Sequence, residues 1–475
     1  MIKSRSRTNV CIQGLGFVGA AMAVAVANAK SSDGIPIFNV IGVDQDTEEG
    51  RQRVSMFTQG MFPFKTIDQN LIDTFNDCHS RGNLHATTDP EVYREAAIVV
   101  IDIPLDASMS DGVPSFDTEH LEQSFRCVVE RVPSEALILV ETTVPPGTCE
   151  KILKPILLEQ LSERGLASNS VHLAHSYERV MPGENYLKSV TNFWRVYAGT
   201  TAKAGDVCEE FLSSVIDVEQ FPLRRLSSTT ASETAKLLEN TYRAVNIALI
   251  DEWTKFSDSI GIDLFEVLAA IRVRPTHSNI RAPGIGVGGY CLTKDPVFAP
   301  AAARQIFNLP ELDFPFAMLS MKVNREMPLH TFDTLTKLLQ GKLSKKRVLL
   351  LGVSYRPGVD DTRSSPVETL FRKLNQAGSE IECFDPLVST WKELNLSLPE
   401  DMPAAASFDA VVFTTGHEQF RSLNVIDWLN GCRPVVLDAV DVISREHRNA
   451  CKDAGILVEC IGRVEQSSES PHAHL

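Results

Sequence analysis

NVCIQGLGFVG, residues 9–19, running straight into AAMAVAVANA, residues 20–29, is the stretch that decides the fold. A short β-branched run meets three glycines spaced G-x-G-x-x-G (Gly14, Gly16, Gly19), and a helical pattern starts at once. In a strand–turn–helix the first glycine permits the tight turn and the second lets the backbone approach a pyrophosphate. The third packs helix on strand, so the helix N-terminus, with Phe17 and Val18 in its first turn, faces the anion. The next apolar run, IFNVIGVD (37–44), ends in Asp44, where a carboxylate suits a ribose hydroxyl pair and repels a 2′-phosphate. Without a ligand the same pattern is only a tight βα turn. The flanking strand and helix together with Asp44 favour an NAD site made by Gly14, Gly16, Phe17, Val18, Gly19 and Asp44.

The rhythm continues outward. AAIVVIDIP (96–104), ALILVETT (136–143), SVHLAHS (170–176) and FWRVYAG (193–199) alternate with helical patterns, as βαβ units on a parallel sheet buried on both faces require. It resumes in RVLLLGVSY (347–355), EIECFDP (380–386), FDAVVFTTG (408–416), RPVVLDAV (433–440) and LVECIG (457–462). The second copy again ends its first strand in glycine (Gly352) and its second in aspartate (Asp385), without the full glycine set. Between them, the polar stretch RRLSSTTASE (224–233) opens a long helical pattern, predicted over about 231–260 with Thr230 and Glu233 at capping-box spacing. Its apolar residues, among them Leu237, Leu238, Tyr242, Leu249, Ile250, Trp253, Phe256 and Ile260, cover more than one stripe. This suggests an interdomain spine and a dimer interface, or equally a helix buried within one chain. The expected fold is therefore α/β: two Rossmann-like doubly wound parallel-sheet domains (1–205 and 331–475) joined by a central helical domain (206–330). The polar tail QSSESPHAHL (466–475) is expected to fray.

Composition narrows the partners. With 46 Lys+Arg against 61 Asp+Glu the net charge is −15 over 475 residues, so general attraction to a nucleic-acid backbone is excluded. A phosphate-bearing ligand must be held by backbone amides and a few placed cations. The ten cysteines form no C-x-x-C pair, which points to thiols in a reducing cytosol and gives no zinc or disulfide framework; no metal is expected. Lys3, Arg5 and Arg7 before an apolar run mimic a signal peptide, but Gln13 and the three glycines interrupt that run. The longest other apolar runs are strand-length, too short to span a bilayer. A cytoplasmic protein without a membrane segment is expected.

GIGVGGYCLTKDP, residues 284–296, carries the chemistry. Glycines crowd the approach to Cys291, as in a loop whose backbone comes close to a ligand, with Gly288 among them, and Asp295 follows four residues later. A buried structural cysteine is the ordinary reading; an activated thiol wants a cation or amide dipoles nearby. Lys236 supplies that cation if the long helix runs under this loop, and Asn240, at i+4, shares its helical face.

These segments, GLGFVG, TTVPPGT (142–148), ERVMPG (178–183), ETAKLLENTYRAVNIAL (233–249), GVGGYC with KDP (286–296) and VLLLGVSYRPGVDDTRSSP (348–366), resemble the nucleotide-sugar dehydrogenases that oxidise UDP-glucose, UDP-N-acetylhexosamines or GDP-mannose. They lie in the family's order and span all three expected domains. The resemblance implies oxidation of a sugar C6 alcohol to a carboxylate with two NAD+, feeding cell-surface polysaccharide precursors, in a homodimer or larger homo-oligomer. By it, Cys291 attacks the aldehyde, and thiohemiacetal, thioester and hydrolysis follow. Lys236 stabilises the alkoxide and Asn240 assists by hydrogen bonding. Asp295 positions water or takes a proton, and Thr143 and Glu178 match the water and proton-transfer network. Thr143 also borders the cofactor. Glu178, Arg179, Lys236, Asn240, Gly288 and Arg363 face the nucleotide sugar, with a surface ion pair to Asp360 or Asp361 as the plainer reading of Arg363. Two positions depart from the pattern: Tyr290 stands where many members have His, and Tyr177 where many have Pro. Lys294 resembles the UDP-glucose and GDP-mannose branches, whereas PPGT, ERVMPG and SYRPGVDDTRSSP resemble the UDP-N-acetylhexosamine branch. The other readings are GDP-mannose oxidation, a β-hydroxyacid dehydrogenase that needs no nucleophilic cysteine, and an NAD-binding module without catalysis.

Overall fold

The computed structural model describes residues 7–110 and 112–464; the tail expected to fray and the basic residues Lys3 and Arg5 lie outside them. The chain divides into two compact units, one of residues 1–239 with 297–314, the other of 240–296 with 315–475.

In the first unit the strands of the main sheet are β1 (Thr8–Gln13), β2 (Phe38–Val43), β3 (Leu84–Thr87), β4 (Ile98–Ile101), β5 (Leu137–Val140), β6 (His172–His175), β7 (Val196–Gly199) and β8 (Arg224–Arg225). They form one sheet in the order β8-β7-β6-β5-β4-β1-β2-β3, parallel except where β7 returns against β6. The order reverses at β1, which sends the loops after β1 and β4 to either side of one crevice, the usual ligand position in such sheets. Successive residues feed opposite faces. Val10, Ile12, Val100 and Leu139 enter one apolar core, while Cys11, Val99, Ile101 and Ile138 enter another. That double burial is why these strands read as continuous apolar runs.

The second unit repeats the plan with β9 (Arg347–Leu351), β10 (Glu380–Phe384), β11 (Ala410–Phe413), β12 (Val435–Asp438) and β13 (Val458–Cys460), all parallel, in the order β10-β9-β11-β12-β13. Val348, Leu350 and Val412 face one core and Leu349, Leu351 and Val411 the other. Two doubly wound parallel sheets are thus present, as expected.

The first-unit helix α1 (Phe17–Asn28) follows β1. The long helix α2 spans Thr229–Ile260, its first turns counted with the first unit and the rest, from Asn240, with the second. Its start corrects the expected capping box. Ser228 Oγ accepts from Ala231 N at 3.1 Å, and Glu233 is spent elsewhere. Ala244, Ala248 and Ile250 are buried, whereas Tyr242, Leu249, Trp253, Phe256 and Ile260 are exposed. Among the described residues no helix is long and apolar enough to cross a membrane.

Candidate active site

The glycine loop has the shape of an anion cradle. Gly14 closes β1 with φ +96°, and a Cβ there would lie 2.4 Å from the Asp102 carbonyl oxygen. A Cβ on Gly19 would lie 1.8 Å from the Gly14 carbonyl oxygen, so both positions demand glycine for packing. A Cβ on Gly16 would meet nothing within 4 Å. That open space lies at the N-cap of α1, where no side chain caps the helix, and a helix N-terminus of this kind suits a ligand phosphate. Phe17 stacks on Phe64 with ring centroids 4.1 Å apart, fixing the first turn beside Val18. Burial and the neighbouring Glu141 carboxylate hold Asp102 well above the ordinary carboxylate range, which limits negative charge beneath this loop. Asp44 follows β2 as expected, accepting from Leu15 N at 3.3 Å and Gln45 N at 2.8 Å. Arg53 was not foreseen. It grips Asp44 through Nε to Oδ2 at 2.7 Å and Nη2 to Oδ1 at 3.2 Å. The residues present fit NAD.

The first unit also holds Lys236, Glu178, Arg179 and Thr143. Lys236 is buried on α2 and donates to the Glu178 carbonyl oxygen at 2.7 Å, with Glu178 Oε1 at 3.3 Å. Tyr177, the departure from proline, is buried with Lys236 Nζ 5.4 Å from its ring centroid, so an aromatic face backs the ammonium. Arg179 is occupied within the chain: it pairs with Glu239 at 2.9 Å and donates to the Tyr177 hydroxyl at 3.2 Å and to the Trp194 carbonyl oxygen. Thr143 is half-buried on the loop after β5. That loop starts at Thr142, whose Oγ1 donates to the Ile103 carbonyl oxygen at 2.8 Å. Next to it the buried Glu141 is paired with the buried Arg195. Beside Lys236, His175 is wholly buried, and desolvation lowers it to about 3, so it is a neutral hydrogen-bonding partner of Ser232 Oγ at 2.8 Å.

The second unit holds the cysteine loop. Cys291 is exposed, and its carbonyl oxygen accepts from Asp295 N at 2.9 Å, tying nucleophile candidate and carboxylate into one turn. Asp295 opens the helix α3 (Asp295–Gln305) and is fully buried. Asn240 Nδ2 donates to its Oδ2 at 2.7 Å and Lys294 Nζ to its Oδ1 at 2.9 Å. Lys294 also lies 4.3 Å from the ring centroid of Tyr290, the departure from histidine. Gly288 is where the loop meets its neighbour: a Cβ there would lie 2.6 Å from Tyr355 Cβ and 2.8 Å from the Ser364 carbonyl oxygen. Gly289 N donates to the Arg363 carbonyl oxygen at 3.0 Å. Arg363 chelates Asp361 (Nη2 to Oδ2 2.6 Å) with its guanidinium half exposed, and that guanidinium stands 5.5 Å from the Tyr290 ring centroid. Arg363 and the half-buried Tyr355 both interact electrostatically with Cys291, so a cation not expected for this purpose stands near the thiol. The one cluster of potential metal ligands among the described residues, Asp438, Asp441 and Cys460, is elsewhere, and Arg448 and Arg463 already bind Asp441.

Comparison with known proteins identifies the family. The models of the UDP-glucose/GDP-mannose dehydrogenase family match in three parts: the NAD binding domain over residues 8–215, the central domain over 230–325 and the UDP binding domain over 349–445. The UDP-N-acetyl-D-mannosamine dehydrogenase of Methanocaldococcus jannaschii is 29% identical over 441 residues, 92% of this chain and 93% of that one. The enzyme of the same name from Pyrococcus horikoshii is 31% identical over 87% of this chain and 91% of its own. A solved structure of UDP-D-ManNAc dehydrogenase from Pyrococcus horikoshii superposes with a TM-score of 0.78 at 26% identity, covering 96% of this chain and 99% of that one. An NDP-N-acetyl-D-galactosaminuronic acid dehydrogenase from Ralstonia nicotianae is 27% identical over 87% of this chain and 92% of its own.

Proposed function

The chain belongs to the UDP-glucose/GDP-mannose dehydrogenase family and is an NAD-dependent nucleotide-sugar dehydrogenase, and on that premise we propose that it oxidises the C6 primary alcohol of a UDP-N-acetylhexosamine, of the N-acetylmannosamine type, to the uronic acid. The observation that carries this reading is the pair of buried polar couples, Lys236 with Glu178 and Asn240 with Asp295, the second in the same turn as Cys291. Single-oxidation dehydrogenases have no use for the thiol and its carboxylate.

NAD+ held at Gly14–Gly19 and Asp44 supplies the hydride acceptor for both oxidations. Lys236 stabilises the alkoxide formed as the C6 hydroxyl gives its proton to the water network served by Thr143 and Glu178, and loss of hydride leaves the aldehyde. The Cys291 thiolate adds to the carbonyl carbon, and the protonated oxyanion is a thiohemiacetal. Loss of that proton and a second hydride gives the thioester. Asp295, aligned by Asn240 and Lys294, takes a proton from the water that attacks it, releasing carboxylate and thiol. Covalent retention keeps the aldehyde from escaping between the two hydride transfers. Thr143 and Glu178 serve the water and proton-transfer network, while Gly288, Arg179 and Arg363 bound the sugar nucleotide. The acid product suits supply of a cell-surface polysaccharide precursor. The chain works as a homodimer through the exposed face of α2.

The N-acetylmannosamine assignment is supported by the relatives of that name and by PPGT, ERVMPG and SYRPGVDDTRSSP. Lys294 favours a second reading, UDP-glucose or GDP-mannose. The experiment is a panel of UDP-N-acetylmannosamine, UDP-N-acetylgalactosamine, UDP-N-acetylglucosamine, UDP-glucose and GDP-mannose, followed by NADH absorbance and product mass. About two NADH per sugar consumed and a carboxylate product are expected. One NADH per sugar, or acid production undiminished in Cys291→Ser, overturns the thioester route.

A further inference from the structure

Glu233 is completely buried on the first turns of α2, yet the described capping of that helix does not use it. Its carboxylate reaches across to the loop after β5. Oε2 accepts from Gly147 N at 2.6 Å and Oε1 from Cys149 N at 2.8 Å, so both oxygens are committed to one short stretch of backbone. These amides begin the turn Thr148–Leu153 that leads into the helix Lys154–Glu163. At its other end the loop is fixed by Thr142 Oγ1 on the Ile101 and Ile103 carbonyl oxygens. Thr143 lies between the two anchors. Gly147 itself has φ +91°, and a Cβ there would lie 2.9 Å from both Ile306 and Phe307, so the anchored end has no room to slide. Glu233 and Lys236 are three residues apart on α2 and therefore on neighbouring positions of one helical face. A single carboxylate thus joins the turn that carries Lys236 to the loop that carries Thr143.

We propose that Glu233 is a positioning residue for the dehydrogenase reaction: its double acceptance from Gly147 N and Cys149 N sets the Thr143 loop in register with the Lys236 turn. The inference rests on the reading that Lys236 and Thr143 serve the chemistry. A salt bridge would bind more strongly but would bring a cation beside Lys236. Two backbone amides satisfy the carboxylate without adding charge. Burial raises the Glu233 carboxyl to about 7, partly offset by those amides and the Cys149 thiol, while Glu150 raises it further. Other titratable groups near this end of α2 include Lys236 with its neighbour Glu178 and, bonded to Ser232, the neutral His175.

Glu233→Gln keeps shape but offers one acceptor, its amide nitrogen facing the other N–H; Glu233→Asp is too short to reach both. Hydrogen exchange at the Gly147 and Cys149 amides reads the clamp without substrate, and steady-state kinetics use whichever of the five nucleotide sugars the wild type oxidises fastest. In both variants at least one of the two amides should exchange at least about tenfold faster, and kcat should fall about tenfold or more with KM for NAD+ within about twofold. Unchanged exchange, or accelerated exchange with wild-type kcat, overturns the proposal. A general structural defect is distinguished by a raised KM for NAD+ in step with lost kcat, which also overturns it. Lys236→Ala run in parallel separates the two levels: if it retains wild-type kcat, the underlying reading fails, whereas an inactive Lys236→Ala beside a fully active Glu233→Gln refutes the role of Glu233 alone.

Discussion

Lys236 Nζ is 2.7 Å from the carbonyl oxygen of Glu178 and 3.3 Å from its carboxylate, so the ammonium is held first by backbone and only second by charge. A lysine kept this way stays aimed when the Glu178 carboxylate is removed but its backbone is kept. Glu178→Gln, which leaves the carbonyl in place, should therefore lower kcat by only about tenfold. Lys236→Ala should cost roughly a thousandfold, the scale of removing one preorganised electrostatic donor. NAD+ affinity, read by fluorescence titration, should change in neither. Equal losses in the two variants would mean that the carboxylate, not the backbone, orients the lysine.

The glycine loop separates binding from folding. A methyl on Gly16 meets nothing within 4 Å in the protein, so Gly16→Ala should unfold within a degree or two of wild type. It should still weaken NAD+ binding by about tenfold or more, because the methyl enters the space a pyrophosphate needs. Gly19→Ala, whose methyl would lie 1.8 Å from the Gly14 carbonyl oxygen, should lose thermal stability as well. Calorimetric unfolding and NAD+ titration of both variants check this, and equal behaviour of the two would discredit the cradle.

The β-rhythm was legible because strands buried on both faces must be apolar throughout. The exceptions are informative. Leu84–Thr87 pairs with β2 at the sheet edge, with Leu84 buried and His85 exposed, so it never presents an apolar run. Arg224–Arg225 is two exposed residues. Asp44 and the three glycines could be read because local spacing fixes them. Arg53, nine residues beyond Asp44, carries no spacing signal; only the fold brings it back. Glu233 was misread for a related reason. Its distance from Thr230 fits a capping box, but the two amides it serves are more than eighty residues away in sequence. Long-range pairing of buried polar groups, as with Glu141 and Arg195, leaves no local pattern.

Glu233 also gives a pH signature. Its carboxyl is held at about 7 in the folded chain against an ordinary 4.5. Below the unfolded value both states are protonated and the group contributes nothing. As pH rises toward 7 the unfolded state gives up its proton first, so stability falls, and above 7 the loss is constant. The shift corresponds to roughly 3 kcal/mol. Glu233→Gln lacks this titration, so its melting temperature relative to wild type should rise by a few degrees between pH 5 and pH 8. A difference that does not vary with pH would count against a buried carboxyl that titrates at about 7.

The exposed face of α2 tests the assembly. Tyr242, Leu249, Trp253, Phe256 and Ile260 are 45–53% exposed and recur at spacings of seven, four, three and four, which is one helical stripe. Trp253 and Phe256 pack edge to face with ring centroids 5.8 Å apart, forming a preset aromatic ridge. Monomers seldom leave such a ridge in water, and the proposed twofold pairing of α2 with its copy would cover it on both chains at once. Trp253→Glu with Phe256→Glu places two like charges at that seam, and light scattering after gel filtration should then report about half the wild-type mass. Because the same stripe leaves Ala244, Ala248 and Ile250 on its buried side untouched, the monomer should keep its fold by circular dichroism. A wild type that is already monomeric, or a charged double variant of unchanged mass, would remove α2 from the interface.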